Sequence, residues 1–149
     1  MKLLKESQKT HVPTAKELEK KWYLIDLNGK TLGPAAAKIA DVLRGKGKPF
    51  FTPQLDSGDF VVAIHARGIR LARNKMDTKL YQWHTRYPGG LRTRTAREIS
   101  ATKPEKIIYD AVWGMLPRNK LRRKLIKKLH IYPMESHDHA AQSPQQIQF

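Results

Sequence analysis

The pattern of hydrophobic and polar positions predicts a strand followed by a helix in the first third of the chain. Residues 22–26 (WYLID) form a short apolar run rich in strand formers, and the Asn-Gly pair at 28–29 predicts a turn. From Leu32 the apolar residues fall on one helical face, at positions 32, 35, 36, 39, 40 and 43. Gly45 and Gly47 then predict the end of this helix.

A second strand is predicted over residues 60–64 (FVVAI), where five apolar residues follow one another. Such a run suits a strand buried on both faces, as in a parallel sheet. The order strand, helix, strand favours a right-handed crossover between parallel strands. The pattern therefore predicts an α/β fold.

The rest of the chain predicts shorter elements. Strands are expected at 69–71, 80–84 and 131–132. Capping boxes predict helix starts at Thr14 and Thr95, and Pro104 suits the first residue of another helix. A further helix is expected from about 118 to 129 because positions 121, 125, 126 and 129 are Leu or Ile.

The length predicts one domain with a short segment at each end. We expect residues 1–20 to form an N-terminal arm, residues 21–132 the α/β domain, and residues 133–149 an extended tail. The tail contains no Lys or Arg.

Charge indicates what kind of partner the protein needs. The 149 residues include 29 Lys and Arg against 13 Asp and Glu, a net charge of +16. Residues 66–130 account for +14 of this, residues 1–65 for +4 and residues 131–149 for −2. A protein this basic requires a polyanion, most commonly a nucleic acid, with an anionic membrane as the competing candidate.

Other classes are disfavoured by what the sequence lacks. No apolar run approaches the roughly 20 residues that span a bilayer, and the start of the chain has no signal-peptide core. The chain contains no cysteine, so it has no disulfides and no cysteine-based zinc site. We therefore expect a cytoplasmic protein that is not a membrane protein.

The excess positive charge forms three clusters, which we predict to bind RNA. The first cluster flanks the predicted strands at 69–71 and 80–84 and contains Arg67, Arg70, Arg73, Lys75 and Lys79. The second surrounds the Gly-Gly pair at 89–90 and contains Arg86, Arg92, Arg94 and Arg97. The third coats the last predicted helix and contains Arg118, Lys120, Arg122, Arg123, Lys124, Lys127 and Lys128. A solubility surface would intersperse both signs of charge, which these clusters do not.

Aromatic rings lie among the first two clusters. Tyr81, Trp83, His84 and Tyr87 could stack on unpaired bases. Equally, Tyr81 and Trp83 could belong to the hydrophobic core, with Gln82 and His84 alternating to the outside.

No catalytic constellation emerges, and we expect neither an enzyme nor a bound cofactor. The segment 56–59 (DSGD) has paired carboxylates, but Asp and Gly before a buried strand more often shape a turn. The segment 45–48 (GKGK) lacks the spacing of a phosphate-binding loop. His137 and His139 could ligate a metal, but hydrogen bonding to RNA or to the domain surface is the favoured alternative, and we predict no metal site.

Several ordered motifs resemble those of the bacterial-type family of large-subunit ribosomal protein thirteen. They are WYLID at 22–26 with GKTLG at 29–33, LRGK at 43–46 with DSGD at 56–59, YPGG at 87–90, GMLPRN at 114–119 with KKL at 127–129, and the histidine-containing tail. The resemblance runs from about residue 14 to residue 144 and implies a three-layer α/β/α fold with a mixed or parallel four-stranded sheet.

The resemblance further implies a non-catalytic protein that binds large-subunit ribosomal RNA and acts early in subunit assembly. Its expected partners are that RNA and neighbouring ribosomal proteins, without homo-oligomerisation. Its motifs add these residues to the predicted RNA-binding set: Arg44, Lys46, Lys48, Asn119, His137 and His139. The set also includes His84, from the aromatic residues among the first two clusters.

The chain departs from the family pattern at seven positions. Pro34 stands where Arg is usual, Gly47 and Gln54 where His is usual, and His65 where Asn is usual. Three arginines take positions at which the family usually has Gly: Arg73, Arg86 and Arg122.

Two other functions remain open at this point. A surface that recognises RNA shape could bind a structured messenger RNA leader and so regulate translation. An RNA-processing enzyme is disfavoured because no acid, base and nucleophile cluster is apparent.

Overall fold

The computed structural model describes residues 13–14 and 17–147. The strands are β1 (Trp22–Asp26), β2 (Phe60–Ile64), β3 (Leu80–His84), β4 (Leu91–Thr95), β5 (Leu129–Ile131) and β6 (Gln145–Gln146). The helices are α1 (Leu32–Arg44), α2 (Lys75–Thr78), α3 (Ala96–Thr102), α4 (Pro104–Met115) and α5 (Arg122–Ile126). Two 3-10 turns cover Ala66–Gly68 and Ala140–Gln142.

The central sheet has four strands in the order β5-β2-β1-β6, and every neighbouring pair is parallel. In the register of β1 with β2, Trp22 lies beside Phe60 and Leu24 beside Val62. The predicted α/β class and the parallel four-stranded sheet are confirmed. Strand β6 was not predicted, because its two glutamines carry no hydrophobic signal.

One face of the sheet forms the main core with the helices. Ile25, Val61 and Ala63 are fully buried there, in one cluster with buried side chains of α1, α4 and α5. These sheet residues alternate with neighbours that point to the opposite face. The continuous apolar run of β2 therefore serves two buried faces, as predicted.

The opposite face is covered by the segment that joins β5 to β6. Because these strands lie at opposite edges of the sheet, the chain between them must cross it. The Trp22 ring stacks on Phe60, with centroids 4.4 Å apart, and His139 of the crossing segment lies 5.0 Å from Trp22. Polar as it is, this C-terminal segment forms a layer of the fold.

A separate antiparallel hairpin joins β3 and β4. Strand β3 confirms the prediction for residues 80–84, whereas β4 was missed because its sequence, LRTRT, has only one hydrophobic residue. The hairpin leads directly into α3.

Local signals placed most helix ends correctly. Gly45 adopts φ 75° after α1, as a left-handed C-terminal glycine should. The Thr95 side chain accepts a hydrogen bond from the Glu98 amide at 3.3 Å, and Pro104 is the first residue of α4. The Thr14 side chain contacts Glu17, but a helix from Thr14 would run through residues 15–16, which lie outside the described residues.

Two predicted elements were wrong. Residues 69–71 form no strand and make only an isolated parallel bridge between Thr31 and Arg70. The helix expected over 118–129 is reduced to Arg122–Ile126. Residues 118–121 form bends and a turn instead, and within them the Asn119 side chain accepts a hydrogen bond from the Arg122 amide at 3.1 Å.

Candidate nucleic-acid interface

The segment of residues 66–79 exposes the first predicted cluster of cations. A 3-10 turn carries Arg67, and α2 begins at Lys75. The side chains of this cluster are all exposed: Arg67, Arg70, Arg73, Lys75 and Lys79. Lys79 lies over the Tyr81 ring, 5.0 Å from its centroid, which connects this segment to the hairpin.

The tip of the hairpin exposes an aromatic ring among arginines. Tyr87 is 75% exposed, the largest fraction among the exposed large hydrophobic residues of the described chain. The turn is closed by a hydrogen bond from the Gly90 amide to the Tyr87 carbonyl at 2.9 Å. Arg86 and Arg92 are exposed beside it. A flat ring held at a rigid turn between cations can stack on a base while its neighbours contact phosphates.

The other aromatic residues of β3 are less available. Tyr81 packs against the core, and burial together with the Asp110 carboxylate raises its pKa. The Trp83 ring is covered by cations, with Arg94 at 5.5 Å and Lys106 at 5.6 Å from its centroid. Of the two alternatives for these rings, Tyr81 therefore follows the core alternative, while Trp83 remains 38% exposed.

His84 supports the turn that follows it. Its Nδ1 accepts a hydrogen bond from the Arg86 amide at 2.9 Å, while the side chain remains exposed. His84 is thus held in place next to the exposed tip.

Helix α4 brings the second and third clusters to one side of the molecule. Lys106 contacts Trp83 of the hairpin. Trp113 lies seven residues later, on the same side of the helix, and Arg122 covers its ring at 4.0 Å. The hairpin and α5 therefore both lie against this side of α4.

Among the residues that the structure describes, most cations of residues 118–127 have no carboxylate partner. No carboxylate pairs with any of these exposed side chains within the part of the chain that the structure describes: Arg118, Lys120, Arg123, Lys124 and Lys127. Unpaired cations this close together repel one another unless an anion lies between them. Asn119 is also exposed here, and Arg122 is half-buried against Trp113.

Lys128 does not belong to this surface. It is only 4% exposed, and its ammonium group donates hydrogen bonds to the Leu43 carbonyl, at 3.2 Å, and to the Asp56 carboxylate. The prediction that Lys128 contacts RNA is therefore wrong, because its charge is already paired inside the fold. A signal was present in the sequence, since position 128 lies three residues after the buried Leu125, on the apolar side of the pattern.

The cations near the end of α1 are also partly engaged. Lys48 binds Asp59 at 2.6 Å and the Glu19 carbonyl at 2.7 Å, which leaves it half-buried. Arg44 lies over the Phe51 ring at 5.7 Å. Lys46 is exposed, with a longer 3.7 Å contact to Asp41. Lys46 is the most accessible of the predicted cations here.

Arg97 is neutralised by a neighbour. Its guanidinium binds both oxygens of Asp77, at 2.6 and 2.9 Å, and joins α2 to α3. The hydrogen bond from Arg97 lowers the pKa of Asp77. Arg97 thus stabilises the local arrangement of helices.

The predicted tail histidines lie on the domain. His139 contacts His130, with ring centroids 4.4 Å apart, and its amide donates to His137 Nδ1 at 3.2 Å. Burial, followed by the proximity of His139, lowers the pKa of His130. Within residues 13–14 and 17–147 there is no group of three or more metal-ligating side chains.

Three departures from the family pattern lie where the backbone is left-handed. His65, Arg73 and Arg86 have φ values of 55°, 53° and 68°. Glycine tolerates this region best, and Asn, Asp and His occur there more often than other residues, so the strain falls mainly on the two arginines. His65 Nδ1 lies 2.9 Å from Asp26 Oδ1, a contact that helps to hold this conformation.

No helix among the described residues is long and apolar enough to cross a membrane.

Comparison with known proteins links these motifs to one family. The family model described as Ribosomal protein L13 matches residues 20–138. The large ribosomal subunit protein uL13 of Chlorobium phaeovibrioides is 49% identical over 138 residues, which cover 93% of this chain and 93% of the relative. The protein of the same name from Rubrobacter xylanophilus is 47% identical, over 92% of this chain and 96% of the relative. That of Aquifex aeolicus is 46% identical, over 94% of this chain and 97% of the relative.

Proposed function

The chain belongs to the ribosomal protein L13 family, and on this premise we propose that it is a structural constituent of the large ribosomal subunit that binds large-subunit ribosomal RNA. A protein of this kind is a component of the ribosome and not an enzyme. We further propose that it supports an early step of subunit assembly.

The observation that carries this proposal is the set of exposed, unpaired cations in residues 118–127. These side chains meet no carboxylate in the described part of the chain. RNA phosphates would relieve their mutual repulsion and release counterions on binding.

We propose that the exposed cations contact phosphates and thereby fix the position of the protein on folded RNA. The set is Lys46, Arg67, Arg70, Arg73, Lys75, Lys79, Arg86, Arg92, Arg94, Arg118, Lys120, Arg123, Lys124 and Lys127. His84 and Asn119 are exposed beside them and can donate hydrogen bonds. Half-buried residues contribute less to this RNA contact: Arg44, Lys48, Arg122, His137 and His139.

Neighbouring ribosomal proteins are the other proposed partners. We propose that a single copy of the protein acts in the cytoplasmic ribosome and that it does not bind a membrane.

Sedimentation with purified ribosomal subunits tests the proposed function. Labelled protein should be retained on large subunits, but not on small subunits, after a wash at moderate salt. A protein that associates with both subunits alike, or with neither, would contradict a specific place in the large subunit.

A further inference from the structure

A groove of about 660 Å³ lies between the start of α1, the segment 71–79 and α4. Most of its lining surface is apolar. Leu71 and Ala111 line it and pack against the hydrophobic core, while Met115 is 43% exposed beside them. Pockets that bind small ligands measure roughly 300–1,000 Å³, so this groove is large enough to hold one.

The cations that line the groove are Lys75 and Lys79. They lie four residues apart, at the first residue of α2 and directly after its last, and both are exposed. Like charges at this spacing repel each other. Within the described part of the chain, no carboxylate forms an ion pair with either of them. An anion is therefore attracted to this side of the groove.

Asp110 of α4 brings a carboxylate to the same groove. It is half-buried, and burial raises its pKa although Lys106 and Lys79 act in the opposite direction. Among the described residues, none donates a hydrogen bond to its side chain. A half-buried carboxylate needs such donors, so its oxygens are available to water or to a ligand that donates hydrogen bonds.

The occupant must therefore match two cations, an apolar surface and a pair of acceptor oxygens. An acidic peptide fits poorly, because the carboxylates that suit the lysines are repelled by Asp110. A nucleotide combines an anionic phosphate with a flat base whose edge carries uncharged donors. Guanine presents two donors side by side, N1–H and the 2-amino group, and a carboxylate can accept both.

We propose that the groove binds one unstacked guanosine of the large-subunit ribosomal RNA. Asp110 accepts the hydrogen bonds of the guanine edge, the apolar lining covers the base, and Lys75 and Lys79 contact phosphates on either side. Arg70 and Arg73 are exposed next to the groove-lining residues 71 and 72, which favours an RNA strand over a free nucleotide. This inference rests on the proposed function and adds a site that recognises a base, whereas phosphate contacts carry no sequence information.

Footprinting with kethoxal, which reacts with N1 and the 2-amino group of unpaired guanines, tests the contact with Asp110. The wild-type protein should protect a guanine of large-subunit ribosomal RNA, and Asp110→Asn should restore its reactivity while the protection of the RNA backbone from hydroxyl radicals persists. The control Glu105→Gln removes a carboxylate from the same helix outside the groove and should leave the footprint unchanged. If no guanine is protected, or if its protection survives Asp110→Asn, the inference is overturned.

The sign of the change in affinity distinguishes this contact from general electrostatics. Removing a negative charge from a basic protein should strengthen its binding to RNA slightly, as expected for Glu105→Gln. Asp110→Asn should instead weaken binding by about tenfold, because a pair of hydrogen bonds to the base edge is lost. Inosine lacks the 2-amino group, so inosine in place of the protected guanosine should weaken binding of the wild type but not of Asp110→Asn. Tighter binding by Asp110→Asn would contradict the inference.

A second pair of variants changes only the space in the groove. Gly114 lines the groove, and a Cβ added there meets nothing within 4 Å. Gly114→Ala should retain the protection of the guanine, whereas the larger side chain of Gly114→Leu should fill the groove and abolish it. Both changes replace a glycine inside a helix, so neither should destabilise the domain, which thermal unfolding verifies. Equal protection by the two variants would mean that no base enters the groove.

The remaining outcomes separate this inference from the proposed function. Wild-type protein that does not bind ribosomal RNA would overturn the proposed function itself. RNA binding with guanine protections that ignore both Asp110 and Gly114 would overturn only the guanosine site. Guanosine monophosphate that raises the Tm at micromolar concentration would assign the groove to a free nucleotide. Variants that keep the protection but lose retention on large subunits would assign it to a neighbouring protein.

Discussion

The ammonium group of Lys128 donates a hydrogen bond to the main-chain carbonyl of Leu43, 3.2 Å away, and so joins the end of α5 to the end of α1. Asp56 binds the same ammonium group and also Lys20, at 3.0 Å. A cation from the most basic stretch of the chain is therefore used to hold the fold together.

Replacing Lys128 should destabilise the protein. Lys128→Ala would leave the Leu43 carbonyl and the Asp56 carboxylate without their buried partner, at a cost of about 3 kcal/mol in the free energy of unfolding. Urea unfolding measures this change. The control Lys127→Ala removes a neighbouring exposed cation and should stay within about 0.5 kcal/mol of wild type. Equal effects of the two substitutions would show that Lys128 is not a structural residue.

Acid should weaken the contribution of Asp56. Burial on its own would raise the pKa of Asp56, but the hydrogen bonds from Lys128 and Lys20 outweigh it and hold the pKa below its ordinary value of 3.8. A lowered pKa in the folded state stabilises the protein above 3.8, and this stabilisation is lost as the pH falls through the lowered value. The stability difference between wild type and Asp56→Asn should therefore be largest near neutral pH and should shrink below 3.8. A difference that stays constant with pH in urea unfolding would rule out this charge pairing.

Glycine should be favoured over alanine at position 86. Arg86 has φ 68°, a conformation that costs residues other than glycine about 1–2 kcal/mol. After allowance for the greater freedom of glycine in the unfolded chain, Arg86→Gly should be about 1 kcal/mol more stable than Arg86→Ala. Both variants remove the same charge, so their difference reports on the backbone alone. At Arg92, inside a strand, the order should reverse, and the same order at both sites would contradict the left-handed conformation.

The exposed Tyr87 ring should contribute to RNA affinity by stacking. Tyr87→Ala should weaken binding to large-subunit RNA by about 1–3 kcal/mol, while Tyr87→Phe retains most of the affinity. Because no charge is removed, the slope of affinity against salt should stay the same. Fluorescence anisotropy measures both quantities. A Phe variant as weak as the Ala variant would indicate that the hydroxyl group acts instead of the ring.

The sequence predicted the elements whose hydrophobic period is clear. Strands β1 and β2, helix α1 and the Thr95 capping box all lie where the pattern placed them. Strands β4 and β6 could not be found this way, since LRTRT and a pair of glutamines contain almost no apolar residues. Strand β6 forms because it pairs with β1, which is distant in the sequence, and β4 forms because it pairs with β3 across the hairpin turn.

The candidate site was predicted in outline, but the function of single cations was not. The sequence shows how many charged residues there are and where they lie along the chain. The burial of each charged side chain and its partners depend on tertiary contacts. Lys128 and Arg97 look like their neighbours in the sequence, yet Asp56 and Asp77 neutralise them in the fold. Lys106, absent from the predicted set, contacts Trp83 because α4 lies against the hairpin.

If the exposed cations that meet no carboxylate within the described residues dock the protein on folded RNA, its affinity must depend on salt. Binding to large-subunit ribosomal RNA should weaken steeply as salt rises. The variant with Arg118, Lys120, Arg123 and Lys127 all replaced by Gln should lower the slope by up to about four units, roughly one per phosphate contact. A wild-type affinity that stays flat with salt, or a slope that this variant leaves unchanged, would show that these cations do not dock the protein on RNA.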